Sequence, residues 1–269
     1  MRPPARNRSL PHAARRPARR PARLLRRGRE PEAGRFWLFL ENVRGSKMRH
    51  VGEFEVWREV ARWLARAHAA FAPEADTLAR THGAHLIRYD ASFFRLWMRR
   101  AREFTRAAVR QGLTGADDAL RRVERLSEVY GRVLSYVAAL PRTLVHGDFF
   151  ASNILARQEG ARLRVCPVDW EMTGLGPGLL DLAALTSGSW GEEQRAALAL
   201  DYRDALRSHG AQTYGVAALA PEEFLRALDC CHVCLAVQWL GWATDWQPPS
   251  DEAQDWLSVA LRLVERLSL

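Results

Sequence analysis

The sequence predicts a predominantly helical α+β fold that contains one small β-hairpin. Apolar residues recur every three or four positions over 53–71 and in several later segments, as in amphipathic helices. Two short apolar runs flank the polar turn 157–160, which is typical of a hairpin. Beyond Pro177 the pattern predicts helices only, over about 179–187, 192–208, 221–243 and 251–267.

Residues 1–35 differ in composition from the rest of the chain. They carry twelve arginines, two glutamates and six of the 13 prolines, with no helical or alternating period. Such a segment buries too little apolar surface to offset its ordering entropy, so the sequence predicts a disordered tail. The tail is interpreted as an arm for nucleic acid or anionic lipid, as a transit-like presequence, or as translated sequence without a selected role. The other residues, 28 basic and 29 acidic, nearly balance, so nucleic acid is not an expected partner, and any such binding would involve the tail only.

The elements after the tail follow in order. The run RFWLFLENVRG, from Arg35 onward, predicts a strand and a turn. A helix over 53–71 places Trp57 and Leu64 on one face, together with His68, which is expected to be a core histidine with a hydrogen-bonding partner. Further helices are predicted over about 92–111 and from Thr114-Gly115 to before Pro141.

The residues with the clearest chemistry follow the short strand Leu144-Val145. Asp148 stands five residues before Asn153, and the hairpin after Asn153 would carry Asp169 back toward it. In phosphoryl transfer, an aspartate accepts the proton of the attacking hydroxyl, while an asparagine and a second aspartate hold magnesium ions. Amide and carboxylate oxygens are the ligands that Mg²⁺ prefers. This spacing therefore indicates a phosphoryl-transfer site.

The stretches LVHGDFFASNIL and VDWEMTGLGPGLLDLAAL resemble the catalytic loop and the magnesium-binding segment of the aminoglycoside phosphotransferase and choline kinase-like family. The resemblance implies a protein-kinase-like C-terminal lobe over 36–269, with a hinge remnant at 36–45 and the catalytic segment at 146–186. It implies transfer of the γ-phosphate of ATP to a hydroxyl of a small molecule, with ATP and Mg²⁺ as cofactors. Asp148 would be the base, and Asn153 and Asp169 would be the magnesium ligands.

Four further residues receive roles from the same resemblance. It implies that His146 and Asp181 brace the catalytic loop, and that Glu41 and Asn42 lie at the edge of the nucleotide. Simpler interpretations remain open for each group. Asp148 and Asn153 are also residue types that form turns, Asp181 is also typical of a helix N-terminus, and 36–45 also fits a plain surface strand.

Two parts of a kinase of this type have no candidate in the sequence. One is the glycine-rich loop over the phosphates, and the other is a lysine on a following strand. The single lysine, Lys47, comes after the predicted hinge strand. Impaired activity is therefore expected, and the alternative is a non-catalytic pseudokinase remnant or partner-binding module.

The C-terminal helices are predicted to hold the acceptor. Their carboxylates and tryptophans would suit a cationic acceptor, although a solvated surface and helix packing account for them more simply; they are Asp229, Asp245, Asp251, Glu252, Asp255, Trp239, Trp242, Trp246 and Trp256.

The remaining composition indicates a compartment. No apolar run approaches the roughly 18 residues of a membrane span, so no membrane association is predicted. The four cysteines do not have zinc-site spacing, and buried free thiols in a cytoplasmic protein are expected instead.

Overall fold

The structure, a computed structural model, describes residues 22–160, 162–188, 190–208, 214–243 and 254–269. The helices of this part are α1 (Phe54–Phe71), α2 (Ala75–His82), α3 (Ala91–Arg110), α4 (Ala116–Ala138), α5 (Leu179–Thr186), α6 (Glu192–Ser208), α7 (Pro221–Trp242) and α8 (Trp256–Arg266). The strands are β1 (Leu24–Glu30), β2 (Arg35–Leu40), β3 (Ser46–Lys47), β4 (Ile87–Arg88), β5 (Arg142–Val145), β6 (Ile154–Glu159), β7 (Arg162–Pro167) and β8 (Gly174–Pro177).

The described strands form three small sheets. β1 and β2 pair antiparallel in a two-stranded sheet. β6 lies between β3 and β7, and pairs antiparallel with both. β8 lies between β4, which runs parallel to it, and β5, which runs antiparallel.

The helices pack against one another and form most of the hydrophobic core. α3 packs against α4 and α7, α1 packs against α6, and α7 packs against α5 and α8. Local sequence sets several helix boundaries. The Asp90 side chain accepts hydrogen bonds from the amides of Ser92 and Phe93 at the start of α3, and Gly115 takes a left-handed conformation where α4 begins.

Most of the predicted helices are confirmed within one or two residues, and so is the β6–β7 hairpin. The last helix begins at Trp256 rather than near 251, with residues 251–253 outside the described part. Helix α2 and the short strands β3, β4 and β8 were not predicted from the sequence. Strands of two to four residues leave almost no periodic signal, because their pairing partners lie far away in the chain.

The structure differs from the expected disordered tail over residues 22–35. β1 spans Leu24–Glu30 and pairs with β2 over its length, and a short 3₁₀ turn joins the two strands. Residues 1–21 lie outside the described part. The hairpin is exposed, as Phe36 and Leu38 keep 68% and 70% of their accessible surface. Strand pairing therefore orders this segment, and hydrophobic burial contributes little.

None of the described helices has both the length and the apolar content of a membrane span.

Candidate active site

The candidate site begins where β5 ends at Val145. The next two residues, His146 and Gly147, turn the chain into the loop that carries Asp148. Gly147 has a φ of 81°, and a Cβ atom there would overlap the Tyr89 hydroxyl and the Met172 carbonyl. Only glycine fits this position without strain, so the glycine of the motif is required by the packing of the loop.

Asp181, in the first turn of α5, fixes this loop through hydrogen bonds to its backbone. Its carboxylate accepts hydrogen bonds from the His146 amide at 2.7 Å and from the Gly147 amide at 2.8 Å. The residue is only 1% exposed. A buried carboxylate is costly unless it is hydrogen-bonded, and these two amides offset that cost while fixing the loop.

The Asp181 carboxylate has a third partner in His68 of α1. The distance from His68 Nε2 to Asp181 Oδ2 is 3.1 Å, and His68 Nδ1 lies 2.7 Å from the hydroxyl of Tyr202 in α6. Since Asp181 can only accept, His68 Nε2 donates and its Nδ1 accepts from Tyr202. The sequence predicted a core histidine with a partner at position 68, and the structure bears this out. The partners themselves were not predicted, because they lie 113 and 134 residues away.

The ring of His146 joins the loop to the end of β7. Its Nε2 donates to the Val168 carbonyl at 2.9 Å, and its Nδ1 accepts from the Asp148 amide at 3.3 Å. These two bonds define one tautomer and use both ring nitrogens. They join His146 to Asp148 itself and to Val168, the residue before Asp169. With both ring nitrogens engaged, His146 suits a positioning role better than proton transfer.

Asn153 is turned toward Asp148. Its Nδ2 donates to Asp148 Oδ2 at 2.6 Å and to the Asp148 carbonyl at 3.1 Å. Because both partners are acceptors, the group facing them must be the NH₂ of the amide. The Oδ1 atom of Asn153 then points away from Asp148 and is left for another partner, such as a cation.

Asp169 follows the hairpin that returns the chain to Asn153. β6 and β7 pair with Ile154 opposite Pro167, and the Val168 amide donates to the Asn153 carbonyl at 2.9 Å. Asp169 itself has φ 66° and ψ 64°, a left-handed conformation that is uncommon for residues other than glycine. Such strained positions concentrate at functional sites.

The pKa of Asp148 is affected by burial and by two other carboxylates. Burial raises the pKa of Asp148 above its usual value, and the negative charges of Asp169 and Asp181 raise it further. His146 and the hydrogen bond from Asn153 act in the opposite direction. A carboxylate with a raised pKa is a better proton acceptor than an ordinary one.

The donor atoms fit Mg²⁺. Asn153 and Asp169 offer an amide oxygen and a carboxylate, both hard oxygen ligands. Among the described residues, no group of three His, Cys, Asp or Glu side chains forms a self-sufficient metal site. Mg²⁺ usually takes only one or two protein ligands and completes its shell with phosphates and water.

The place of Glu41 and Asn42 at the edge of the nucleotide stays a prediction, and the structure shows the partners of Glu41. The Glu41 carboxylate is held by Arg164 of β7, at 2.8 and 2.9 Å, and by the amide of Arg23 at 3.2 Å. The hydrogen bonds from Arg164 lower the pKa of Glu41 to about 2. Asn42 lies in an exposed loop. Glu41 therefore ties the β1–β2 hairpin to the catalytic hairpin, and its carboxylate is already occupied.

Two of the carboxylates predicted at the acceptor site also have partners within the protein. Asp229 is bonded by Arg266 at 2.5 and 2.9 Å, and Asp255 caps α8 through the amide and hydroxyl of Ser258. Asp245, Trp246, Asp251 and Glu252 lie outside the described residues.

The tryptophans of this region form a packed cluster. Trp239 contacts Phe150 of the catalytic loop at 5.6 Å between ring centroids and stacks on Trp256 at 5.9 Å, while Trp242 packs against Trp97 at 5.4 Å. Packing of α3, α7 and α8 accounts for these rings.

Comparison with known proteins gives one family match. The sequence matches the profile of the "Phosphotransferase enzyme family" over residues 4–220. No match was found among curated proteins.

Solved structures with a similar fold include two structures of one aminoglycoside phosphotransferase and one of an ethanolamine kinase. A mutant of aminoglycoside 2′-phosphotransferase-IIIa in its GDP complex gives a TM-score of 0.59 at 16% identity, covering 93% of this chain and 74% of the other. The wild-type GDP complex gives 0.51 at 14% identity, covering 92% and 75%. An ethanolamine kinase of Plasmodium vivax gives 0.50 at 13% identity, covering 86% of this chain and 64% of the other. The chain thus spans less than two thirds of that kinase.

Proposed function

Because the chain belongs to the Phosphotransferase enzyme family, we propose that it carries the catalytic half of an ATP-dependent kinase whose acceptor is a hydroxyl of a small molecule. In this proposal Asp148 is the base, and Asn153 and Asp169 are the magnesium ligands. One observation carries it. Asn153 donates a hydrogen bond to Asp148 Oδ2, and the amide of Val168, the residue before Asp169, donates to the Asn153 carbonyl, so these contacts join the segments that carry the three residues.

Asp148 acts on the acceptor. Its carboxylate takes the proton of the attacking hydroxyl as the oxygen bonds to the γ-phosphorus, and the bond from that phosphorus to the bridging oxygen of ADP breaks. The raised pKa of Asp148 suits this role, since a base is most effective when its pKa approaches the working pH. The amide of Asn153 keeps the carboxylate in one orientation.

Asn153 and Asp169 act on the nucleotide side. When bound, Mg²⁺ and ATP would supply the phosphoryl group and neutralise the charge that develops on it. The chain contributes Asn153 Oδ1, which its own NH₂ group orients by bonding to Asp148, and the carboxylate of Asp169, which the left-handed backbone presents.

The residues of this chain by themselves would transfer phosphate slowly. The sequence offers no glycine-rich loop, and Lys47 lies in β3, paired with Leu155 of the catalytic hairpin. Phosphoryl transfer depends mainly on positioning and charge neutralisation. Contacts to the phosphates would therefore come chiefly from Asn153, Asp169 and the metal.

One observation favours a second function, binding of a protein partner without catalysis. The β1–β2 hairpin exposes seven large apolar side chains, and exposed apolar patches of this kind mark interaction surfaces; they are Leu24, Leu25, Phe36, Trp37, Leu38, Phe39 and Leu40. This function would not require the Asp148 constellation, so the two are separable by experiment.

The four buried free cysteines suit a reducing compartment, and we assign the protein to the cytoplasm on that ground.

Calorimetry with ATP, in the presence of Mg²⁺ and in excess chelator, tests the proposal. We expect binding that requires Mg²⁺ and that is lost in Asp169→Asn, but retained in Asp117→Asn, a surface aspartate in the first turn of α4. Binding that is independent of both Mg²⁺ and Asp169, or no binding at all, would favour the non-catalytic alternative.

A further inference from the structure

A cavity of about 560 Å³ lies between the C-terminal end of α5, the start of α6, and helices α7 and α8. This volume is typical of a small-molecule site. Three arginines line the cavity, Arg195 of α6 and Arg262 and Arg266 of α8, together with the hydroxyl residues Thr186 and Ser187. The positive charge of these arginines would suit an anionic ligand, provided that the acidic residues nearby are already engaged.

The acidic residues at this cavity are already engaged. Arg266 binds the Asp229 carboxylate with two hydrogen bonds and also contacts Glu192 at 3.2 Å. Asp255 accepts from the amide and the hydroxyl of Ser258, at 2.9 and 2.5 Å. Little acidic capacity is left to hold a cationic ligand.

Arg195 and Arg262 are left with weak partners. Arg195 makes one long hydrogen bond, from Nη2 to the Trp190 carbonyl at 3.4 Å, and its buried Nε lacks a partner among the described residues. Burial lowers the pKa of Arg195, and the charges of Arg266 and Arg262 act in the same direction, while the carboxylates of Asp229 and Glu192 oppose them. Arg262 is exposed and makes no hydrogen bond or ion pair within the described part of the chain. A half-buried guanidinium that no carboxylate contacts directly is costly, and a bound anion would offset that cost.

Two sets of residues link the lining of the cavity to the catalytic loop, one through aromatic packing and one through helix α5. Trp256 lines the cavity and stacks on Trp239, which packs against Phe150, two residues after Asp148. Helix α5 carries Asp181, which holds the loop, and Thr186, which lines the cavity five residues later, or roughly 8 Å along the helix axis.

We infer that the acceptor is a hydroxylated anion, whose carboxylate, phosphate or similar group binds Arg195 and Arg262 in this cavity. This inference rests on the proposed kinase function, and it specifies the class of acceptor. It reverses the expectation of a cationic acceptor drawn from the carboxylates in the C-terminal part of the sequence, because the two that the structure describes are occupied by Arg266 and Ser258. Planar guanidinium groups are the preferred protein partners of carboxylates and phosphates.

Binding of three matched polyols tests the inference without nucleotide or turnover. Gluconate, glucose and glucosamine are hydroxyl-rich six-carbon compounds with a negative, neutral and positive charge. We expect gluconate to bind at least about tenfold more tightly than the other two, and to weaken as ionic strength rises. An equal response to all three, including none, or a preference for glucosamine, overturns the inference.

Variants locate the site. Arg262→Gln should weaken gluconate binding by about tenfold, the usual range for a charge-assisted hydrogen bond, and Arg262→Glu should remove the preference for the anion. Because Arg262 is exposed, these changes should leave the fold intact. Arg195→Gln should act in the same direction as Arg262→Gln. Arg110→Gln, an exposed change at the end of α3, is the matched control and should have no effect. Unchanged gluconate binding in both Arg262→Gln and Arg195→Gln refutes the assignment.

The two proposals fail separately. A preference for gluconate in a protein whose ATP binding is absent, or independent of Mg²⁺ and Asp169, refutes the kinase function and leaves the anion site standing. ATP binding that requires Mg²⁺ and Asp169, without a preference for gluconate, leaves the nucleotide site standing.

Discussion

At the level of single residues, the proposed site depends on the residues that would do the chemistry and on the glycine that lets their loop pack. Asp148, Asn153 and Asp169 are assigned from their types and their spacing, which are typical of phosphoryl transfer. Gly147 also belonged to the motif, but the reason for glycine there lies in Tyr89 and Met172, which the sequence does not connect to it.

Asp148→Asn should abolish most phosphate transfer without destabilising the fold. Loss of a general base typically costs 10²–10⁴-fold in rate. The buried carboxylate has a raised pKa, so ionising it costs folding free energy; this cost is absent below the usual pKa of about 4 and complete above the raised one. At neutral pH the amide removes the cost, so the thermal midpoint should stay equal or rise. A large fall in the midpoint would contradict this account, and Asp117→Asn serves as the control.

The raised pKa of Asp148 also sets a pH dependence. Only the ionised carboxylate accepts the proton, so kcat/KM should fall as the pH drops through the raised pKa, at a higher pH than for an ordinary aspartate. A pH profile with saturating Mg²⁺ measures this. A profile that is flat down to the usual aspartate range would argue against Asp148 as the base.

Gly147→Ala should destabilise the fold far more than Gly115→Ala. Both glycines have positive φ, but a Cβ at Gly147 would overlap two neighbours, whereas at Gly115 nothing lies within 4 Å. We expect a loss of about 1 kcal/mol for Gly115→Ala from backbone strain alone, and more than about 2 kcal/mol for Gly147→Ala. Denaturant unfolding measures both, and equal losses would show that the loop yields around position 147.

At the level of elements, the long helices and the catalytic hairpin followed from periodicity, and the short strands did not. β1 is the clearest failure, because its arginine-rich sequence carries no strand pattern and its order comes from pairing with β2. The link from α1 to α5 through His68 and Asp181 also joins distant segments. Two predictions test how these elements are held together.

His68→Ala should loosen the catalytic loop. It removes a donor to the buried Asp181 carboxylate, so we expect a loss of about 1–3 kcal/mol in the free energy of unfolding, and a fall in kcat with little change in KM for ATP. Tyr202→Phe removes only the hydroxyl that bonds His68 and should have a smaller effect in the same direction. His85→Ala, on an exposed histidine, is the control. If kcat is unchanged in His68→Ala, His68 supports folding only.

Arg164→Gln should release the β1–β2 hairpin from the catalytic hairpin. Arg164 holds Glu41 with two hydrogen bonds and keeps its pKa near 2, so this link weakens only as the pH falls from about 4.5 toward about 2. At neutral pH, trypsin should cut residues 23–35 faster in Arg164→Gln than in the wild type. Arg157→Gln, an exposed change on β6, should leave the rate unaltered. Equal rates in all three proteins would mean that strand pairing alone protects the hairpin.

At the level of the whole molecule, the family and the mainly helical fold were predictable, because the motif and the helix pattern agree with each other. The cavity between α5 and α8 could not be predicted, since its arginines and its engaged carboxylates become neighbours only in the folded chain. The ion pair of Glu41 could not be predicted for the same reason, because Arg164 lies 123 residues away.

The proposed mechanism requires that Asn153 and Asp169 hold one divalent ion beside Asp148. A double-mutant cycle of Asn153→Ala and Asp169→Asn, read by electron paramagnetic resonance titration of Mn²⁺·ATP, measures whether the two residues share that ion. We predict that each single change weakens binding by about tenfold or more, and that the double change costs less than the sum, with a coupling of at least about 1 kcal/mol. Strictly additive losses, or no loss from either change, would show that the two residues do not hold a common ion.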